Sequence, residues 1–304
     1  MFFKNILLYL IKYLKYYGGI KLVEQKKVLA VHDISCIGKC SLTVALPIIS
    51  AAGIITSVIP TAVLSTHTGG FTGYTYRDLT EDIIPIVEHW KTLDIKFDAV
   101  YTGFLGSFEQ LNIVSQLFDV FKREDNLILV DPVMADNGTL YKLFNPEFAQ
   151  GMAILCSKAD IIVPNITEAV YMLKEQYREG PYTKEYIEKL MKKLSELGPE
   201  KIVLTGVYLN NIELGAAAYD RSTGEVSYYF SQKVPGYYHG TGDVFASALL
   251  SALLNNQSLK NAAKIAVDFT VGSILRTKAA GTDLRFGVNF EAEIPNLIKA
   301  LNIV

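Results

Sequence analysis

Short apolar runs alternate with longer amphipathic segments from Lys27 to the end of the chain. The apolar runs predict β-strands at Val28–His32, Thr56–Pro60, Ala99–Thr102, Leu127–Asp131, Ile161–Pro164, Ile202–Thr205, Gly215–Tyr219 and Val226–Phe230. Several of these strands are apolar at every position, which is typical of strands that helices cover on both faces. The last two strands lie close together and predict a hairpin around Arg221–Gly224.

The segments between these runs have apolar residues three or four positions apart, which predicts helices. Helices are predicted at Ser41–Ala52, Leu79–Lys91, Phe108–Lys122, Thr167–Glu175, Lys184–Leu197, Val244–Leu254, Leu259–Thr277 and Phe290–Leu301. Asp78 and Thr183 are predicted as N-caps. Strands that alternate with helices predict an α/β fold, a three-layer αβα arrangement with a mostly parallel sheet between two helical layers. Since no linker or repeat interrupts the pattern, residues 27–304 are expected to form one domain.

Composition and charge narrow the class of protein. The 304 residues are 50% hydrophobic and 20% charged, which excludes a disordered chain. Residues 1–27 hold six lysines and one acid, a net charge of +5, whereas the remaining residues have a net charge of −7. Residues 1–26 are therefore expected to be a basic extension outside the domain, and a basic amphipathic helix on an anionic surface is the alternative.

The net charge, the length of the apolar runs and the number of cysteines exclude several kinds of partner and site. The overall net charge of −2 does not indicate the positive surface that binds nucleic acids. No apolar run reaches the ~20 residues that span a membrane. Three cysteines in a chain of this length do not form a disulfide framework, and no second ligand pair completes a zinc site with Cys36 and Cys40. We therefore expect a cytoplasmic protein with reduced thiols, no membrane partner and no nucleic-acid partner.

Polar residues follow the predicted strands where each strand ends. They are His32-Asp33, Ser65–Gly70, Asp131–Asp136, Asn165–Glu168 and Thr205-Gly206. In open α/β sheets, ligands bind at the carboxyl ends of the strands. These segments are therefore expected to surround one ligand site.

The sequence Gly240-Thr241-Gly242-Asp243 opens a helix of small and apolar residues. The glycines allow a close backbone approach, and the free amides of a helix start attract an anion such as a phosphoryl group. Asp243 is placed to take the proton from an attacking hydroxyl. The alternative is a glycine-rich turn with an aspartate in the first turn of the helix.

Two further motifs have a metal-binding interpretation and a structural one. Asp131 and Asp136 at a strand end can hold Mg²⁺ directly or through water, but Asp-Asn-Gly is also a tight turn. Asn165 and Glu168 can face one hydrated Mg²⁺, but they can equally be an N-cap and its first-turn glutamate. A Walker A loop and a dinucleotide fingerprint are absent from the sequence, which disfavours a dehydrogenase.

The ordered set Asp131-Pro-Val-Met, Asn165-x-x-Glu168 and Gly240-Thr-Gly-Asp243 resembles the ribokinase-like superfamily. Within that superfamily, Ser65-Thr-His-Thr-Gly69 and Tyr101-Thr-Gly-Phe-Leu-Gly-Ser107 are similar to segments of the pyridoxal and pyridoxamine (vitamin B6) kinases. The resemblance covers about residues 27–302. It implies a ribokinase-like fold without a large lid domain, and an enzyme that transfers phosphate from ATP to the 5′-hydroxymethyl group of a B6 vitamer.

The resemblance also implies a role for each candidate residue. Asp243 would be the general base, and the amides of Gly240, Thr241 and Gly242 would form the anion hole. Mg²⁺ and the ATP phosphates would be organised by Asp131, Asp136, Asn165 and Glu168, with Asp131, Asp136 and Glu168 nearest the metal. Thr205, Gly206 and Thr241 would lie along the nucleotide, under a mobile loop at Ser231–His239. The B6 ring would contact Asp33, Ser65, His67, Thr68 and Phe104. A monovalent cation such as K⁺ and a homodimer are further implications.

Two positions depart from the common B6-kinase pattern and leave the acceptor open. Asp33 stands where a serine is usual, and Phe104 stands where a tyrosine is frequent. A carboxylate at Asp33 suits an amino group on the acceptor, either in pyridoxamine or in hydroxymethylpyrimidine. The alternatives are therefore a hydroxymethylpyrimidine kinase of thiamine synthesis and, in another class, a catalytically silent sensor of pyridoxal phosphate.

Overall fold

A computed structural model describes residues 25–303. Its strands are β1 (Lys27–Ile37), β2 (Ile55–Thr66), β3 (Tyr76–Asp78), β4 (Ala99–Thr102), β5 (Leu127–Val130), β6 (Ala135–Asp136), β7 (Thr139–Leu140), β8 (Ile161–Ile162), β9 (Lys201–Val207), β10 (Glu213–Asp220) and β11 (Glu225–Gln232). Nine of them form one sheet in the order β11-β10-β9-β8-β5-β4-β1-β2-β3, while β6 and β7 form a separate hairpin. The six strands from β9 to β2 in this order are parallel, and β3, β10 and β11 are antiparallel additions at the two edges.

Helices flank the sheet on both faces. They are α1 (Leu42–Ala51), α2 (Thr80–Lys91), α3 (Phe108–Phe121), α4 (Pro146–Cys156), α5 (Ile166–Met172), α6 (Lys184–Glu196), α7 (Thr241–Leu254), α8 (Leu259–Ala280) and α9 (Ile294–Ala300). One hydrophobic cluster joins the sheet to α2 through α6, and a second joins its other face to α1, α7, α8 and α9. The predicted three-layer αβα fold is confirmed.

Strand β1 shows why the two faces are packed equally. Val28 belongs to one hydrophobic cluster and Leu29 and Val31 belong to the other, and all three side chains are fully buried. Successive side chains of a strand point to opposite faces, so a strand between two helical layers must be apolar at every position. This requirement is the physical reason that the continuous apolar runs predicted the central strands correctly.

The structure confirms each predicted strand and helix, with ends that differ by a few residues. The hairpin at Arg221–Gly224 and the N-cap at Thr183 are also confirmed. The N-cap predicted at Asp78 is wrong by one residue, because Leu79 occupies the N-cap position. The Asp78 side chain instead accepts a hydrogen bond from the Thr80 amide. Strand β3, the β6–β7 hairpin and α4 were not predicted.

The predicted basic extension lies outside the described residues, apart from Gln25 and Lys26. Within residues 25–303, no helix is long and apolar enough to cross a membrane. The same residues contain no cluster of three or more His, Cys, Asp or Glu side chains that could hold a metal, and Cys36, Cys40 and Cys156 are free. The single domain at 27–304 stays a prediction.

Candidate active site

The start of α7 lies against the loop that follows β1. Gly240 is the N-cap and has a φ of 73°. A Cβ atom at Gly240 would lie 1.9 Å from the Lys39 carbonyl oxygen, so only glycine allows this contact. The amides of Thr241, Gly242 and Asp243 have no partner within the helix, as at any helix start, and Gly242 is exposed. This end of α7 can therefore stabilise an anion.

Asp243 stands in the first turn of α7 and keeps part of its surface accessible. Burial raises the pKa of its carboxyl group to about 7, and the charge of Asp33 raises it further, whereas the Ser41 amide lowers it. A base with a pKa near neutrality can take a proton and release it again at physiological pH. Asp243 therefore has the position and the basicity that general-base catalysis requires.

Asp33 lies next to Asp243 at an irregular position of the sheet. The register of β1 against β2 shifts between His32 and Ile34, which re-aims the side chain between them. The Asp33 carboxylate is buried and accepts hydrogen bonds from the Ser41 hydroxyl at 2.5 Å and the Ser35 hydroxyl at 3.3 Å. Burial raises its pKa in spite of these two donors. We call Asp33 and Asp243 the acceptor pair.

A second pair of carboxylates consists of Asp131, directly after β5, and Glu168, in the first turn of α5. Glu168 completes a capping box on α5, in which the Asn165 side chain accepts from the Glu168 amide at 2.9 Å. The Glu168 oxygens accept from the Met134 amide at 3.2 Å and the Asn165 amide at 2.9 Å. The structural interpretation of Asn165 and Glu168 is thus correct, and it also fixes Glu168 in place. We call Asp131 and Glu168 the amide-bound pair, after the contacts of Glu168.

The amide-bound pair also has raised pKa values. Burial raises the pKa of Glu168 to about 8. Burial and then the charges of Glu168 and Asp243 raise the pKa of Asp131 well above its usual range. An ideal Cβ on Gly242 would stand 3.8 Å from an Asp131 oxygen, so the two pairs meet at the start of α7.

None of these four acids takes part in an ion pair with a side chain of residues 25–303. Buried carboxylates without a cation are costly, which is why the four pKa values are raised, and a cation from solution would offset that cost. Hard oxygen donors of this kind suit Mg²⁺, which keeps several waters and needs only one or two carboxylates beside phosphate oxygens. The donor set therefore fits Mg²⁺ held partly through water rather than in a protein cage.

Asp136 belongs to the β6–β7 hairpin, and its tight-turn interpretation is correct. Asn137 and Gly138 have φ values of 49° and 80°, and the Asp136 carboxylate accepts from the Asn137 amide at 2.8 Å. Asp136 also lies beside the Tyr237 hydroxyl, whose pKa is raised by burial and by that charge. The β6–β7 hairpin therefore faces the loop before α7. The charge of Asp136 also makes a small contribution to the raised pKa of Glu168, after that of burial.

The segment from Ser65 to Gly69 is held firmly by its own polar groups. The Ser65 hydroxyl accepts from the Thr75 amide at 2.8 Å. His67 Nε2 donates to the Arg285 carbonyl at 2.6 Å, and His67 Nδ1 accepts from the Gly69 amide at 3.1 Å. Both ring nitrogens of His67 are therefore committed to the loop, so His67 shapes this wall while Thr68 is exposed.

Phe104 and the nucleotide candidates also lie at the carboxyl edge of the sheet. Phe104 is half-buried after β4, with its ring centre 5.6 Å from that of Phe144. Gly206 has a φ of 70° at an irregularity between β9 and β10, where a Cβ would meet nothing within 4 Å. Thr205 donates to the Pro164 carbonyl at 3.5 Å, and Thr241 to the Tyr238 carbonyl at 3.1 Å.

The sequence interpretation missed several residues of the site. Ser41 contacts both members of the acceptor pair. Tyr76 reaches across Gly106, where a Cβ would lie 2.7 Å from its hydroxyl. Burial, and then the charges of Asp78 and Asp33, raise the pKa of Tyr76 to about 12. Gln110 is buried and binds the Gly106 amide at 2.7 Å. His239 packs its ring 5.0 Å from that of His67. Only Ser41 had a sequence signal, a hydroxyl residue at a helix start.

Comparisons with known proteins match this geometry. A family model described as phosphomethylpyrimidine kinase matches residues 46–286. The chain belongs to the phosphomethylpyrimidine kinase family. A crystal structure of a Bacteroides thetaiotaomicron protein with pyridoxal has 38% identity and a TM-score of 0.86, covering 90% of this chain and 96% of that one.

Curated relatives carry two different names. Pyridoxal kinase of Arabidopsis thaliana is 28% identical and covers 72% of this chain and 73% of its own. The hydroxymethylpyrimidine/phosphomethylpyrimidine kinase of Bacillus subtilis is 25% identical, with 73% and 79% covered. The resemblance to pyridoxal kinases of the ribokinase-like superfamily is confirmed, and the chain is a phosphotransferase with an alcohol acceptor.

Proposed function

We propose that this kinase phosphorylates the 5′-hydroxymethyl group of a B6 vitamer with ATP. The observation that carries the proposal is Asp243, held in the first turn of α7 with a pKa raised to about 7 by burial. The structure of the 38% identical Bacteroides protein with pyridoxal supports a B6 ring as the acceptor.

Asp243 takes the proton of the acceptor hydroxyl as its oxygen bonds to the γ-phosphorus of ATP. The bond from that phosphorus to the bridging oxygen breaks, and ADP leaves with the electron pair. The amides at Gly240–Gly242 stabilise the charge on the phosphoryl oxygens, because the helix start places free N–H groups and the positive end of its dipole there. Positioning and charge stabilisation supply most of the catalysis in such a transfer.

The amide-bound pair would hold Mg²⁺, with Asp136 and Asn165 beside it. When bound, Mg²⁺ supplies positive charge against the phosphate oxygens. Glu168 is kept in one orientation by two backbone amides, so it presents its remaining lone pairs in a fixed direction. Thr205, Gly206 and the loop that ends at His239 are proposed to border the nucleotide. A monovalent cation such as K⁺ stays a prediction, and so does a homodimer, which light scattering checks.

A hydroxymethylpyrimidine kinase is the second candidate, because the family model and the Bacillus relative bear that activity in their names. The deciding experiment measures ADP release with pyridoxal, pyridoxamine, pyridoxine and hydroxymethylpyrimidine, each with ATP and Mg²⁺. We expect turnover of at least one B6 vitamer with a higher kcat/KM than hydroxymethylpyrimidine. Turnover of hydroxymethylpyrimidine alone would establish the second candidate, and no turnover at all would favour a sensor.

A further inference from the structure

Asp33 is a buried carboxyl group whose surroundings are acidic. Its carboxylate is 4% exposed, and both hydrogen-bond donors that contact it are neutral hydroxyls. The titratable groups that Asp33 influences are Asp243, the Cys40 thiol and the Tyr76 hydroxyl, which are all acids. No lysine, arginine or histidine side chain of residues 25–303 bonds to it.

The neighbouring histidine does not supply the missing charge. His32 is fully buried, and burial lowers the pKa of its imidazole to about 3, so the ring is neutral at physiological pH. Neither of its ring nitrogens has a hydrogen-bond partner in the described chain. A buried carboxylate among neutral and acidic groups is unfavourable unless a ligand brings a cation to it.

Ser41 connects the Asp33 carboxyl group to the proposed general base. Its hydroxyl donates to Asp33 at 2.5 Å, and its backbone N–H faces the Asp243 carboxylate. Ser41 has a φ of 55° and a ψ of −129°, a conformation that L-residues rarely adopt, and a bridge to Ile34 holds it there. A strained conformation of this kind persists only where the surrounding structure over-determines the backbone, and such positions cluster at active sites. Ser41 therefore lies between the two carboxyl groups and contacts both.

We propose that Asp33 is a specificity-determining residue that favours acceptors with a protonated amine beside the reacting hydroxymethyl group, as in pyridoxamine. This inference rests on the proposed function and names its preferred substrate. In pyridoxamine the aminomethyl and hydroxymethyl groups are on adjacent ring carbons, which matches two carboxylates joined through one residue. Pyridoxine offers a neutral hydroxyl at that position, and pyridoxal offers a carbonyl oxygen that cannot donate to a carboxylate. The expected order of kcat/KM is pyridoxamine, then pyridoxine, then pyridoxal.

The test compares kcat/KM for the three vitamers in the wild type and in Asp33→Asn. We expect the ratio of pyridoxamine to pyridoxal to fall at least about tenfold in Asp33→Asn, mainly through KM for pyridoxamine, because one partner of a buried charge pair is removed. Ser41→Gly keeps the backbone N–H and permits the positive φ but deletes the hydroxyl, so its ratio should be intermediate. Cys36→Ala, an exposed site on the same strand, is the matched control and should keep the wild-type ratio.

Calorimetry of the wild type gives a readout that needs no variant. Pyridoxamine binding in two buffers of different ionisation enthalpy should release protons, because an ammonium beside the acceptor pair favours its ionised form. Binding of pyridoxine should release fewer protons than binding of pyridoxamine. Equal proton release, or a vitamer ratio that Asp33→Asn leaves within about threefold of wild type, overturns the inference while the B6-kinase activity stands. Absence of turnover with every vitamer overturns the proposed function instead.

Discussion

Two buried carboxyl groups of the site, Glu168 and Asp33, are held by different kinds of hydrogen-bond donor. In the amide-bound pair, both Glu168 oxygens accept from backbone N–H groups. In the acceptor pair, Asp33 accepts from the hydroxyls of Ser41 and Ser35. A backbone amide can only donate and is fixed by the fold, whereas a hydroxyl rotates and can also accept. The two amides fix the direction of the Glu168 oxygens, whereas the two hydroxyls at Asp33 can turn when a ligand binds.

This difference suits the two tasks proposed for the site. A metal-binding carboxylate must remain an acceptor and keep its orientation throughout turnover. Asp33 is instead proposed to meet the part of the acceptor that differs between vitamers, and donors that can turn suit that task. Glu168 and Asp33 are equally buried, so the freedom of their donors, and not the depth of burial, distinguishes them.

The largest effect is expected from Asp243→Asn. The amide has the shape of the carboxylate but cannot take the proton, so kcat should fall by about 10²–10⁴ with little change in the KM of ATP. The measurement is steady-state ADP release with the best vitamer. Asp268→Asn, an exposed acid on α8, is the control. More than a tenth of the wild-type kcat in Asp243→Asn is incompatible with a general-base role.

Glu168→Gln tests the amide-bound pair. A glutamine must direct its NH₂ group at one of two amide donors, which leaves a buried N–H unsatisfied and costs about 1–3 kcal/mol of unfolding free energy. The Mg²⁺ concentration for half-maximal rate should also rise about tenfold. Titration of Mg²⁺ and chemical denaturation measure the two effects. Glu147→Gln, in the exposed first turn of α4, should change neither quantity.

The same contacts explain which residues of the site could be predicted from the sequence and which could not. Asp243, Asp131 and Glu168 follow strands or open helices, so the hydrophobic pattern places them at one edge of the sheet. Ser41 was not recognised, because its role depends on a positive φ that nothing in a Cys-Ser-Leu sequence indicates. His67 was predicted as a substrate contact, but the pattern could not show that both its nitrogens bind the loop.

The fold likewise contains elements that the hydrophobic pattern predicts and elements that it does not. Central strands were found because burial on both faces leaves a continuous apolar run. Strand β3 is exposed at all three positions, so it carries no such run. Helix α4 did have a signal, since Asn145 caps it and Pro146 begins it, which is a frequent helix start.

A smaller effect is expected in the pH dependence of kcat/KM with pyridoxine. Asp243 acts as a base only when ionised, so the rate should rise with pH through about 7. The negative charge of Asp33 contributes to the raised pKa of Asp243, so Asp33→Asn should move this rise to lower pH. Cys36→Ala should leave the profile unchanged. A shift to higher pH in Asp33→Asn would contradict the coupling of the acceptor pair.

The smallest effect concerns stability without ligands. Glu168 has a folded pKa raised to about 8 and Asp243 one raised to about 7, so the folded chain retains protons that the unfolded chain has released. Stability should therefore fall as pH rises from about 4.5, near the unfolded carboxyl pKa values, to about 8, by up to roughly 1.4 kcal/mol per pH unit for each proton retained, and should level off above that. Thermal melting between pH 5 and 8 checks this, with Mg²⁺ and ATP expected to reduce the slope. A melting temperature that rises over this range would contradict it.

Ser41 links two properties that an enzyme could otherwise vary separately. One residue holds Asp33 through its hydroxyl and faces Asp243 with its N–H. A substitution there is therefore expected to alter the choice of substrate and the speed of the reaction together. Thr68 and Phe104 bond to neither carboxyl group, so changes at these positions are expected to alter the acceptor preference with less effect on the proposed base.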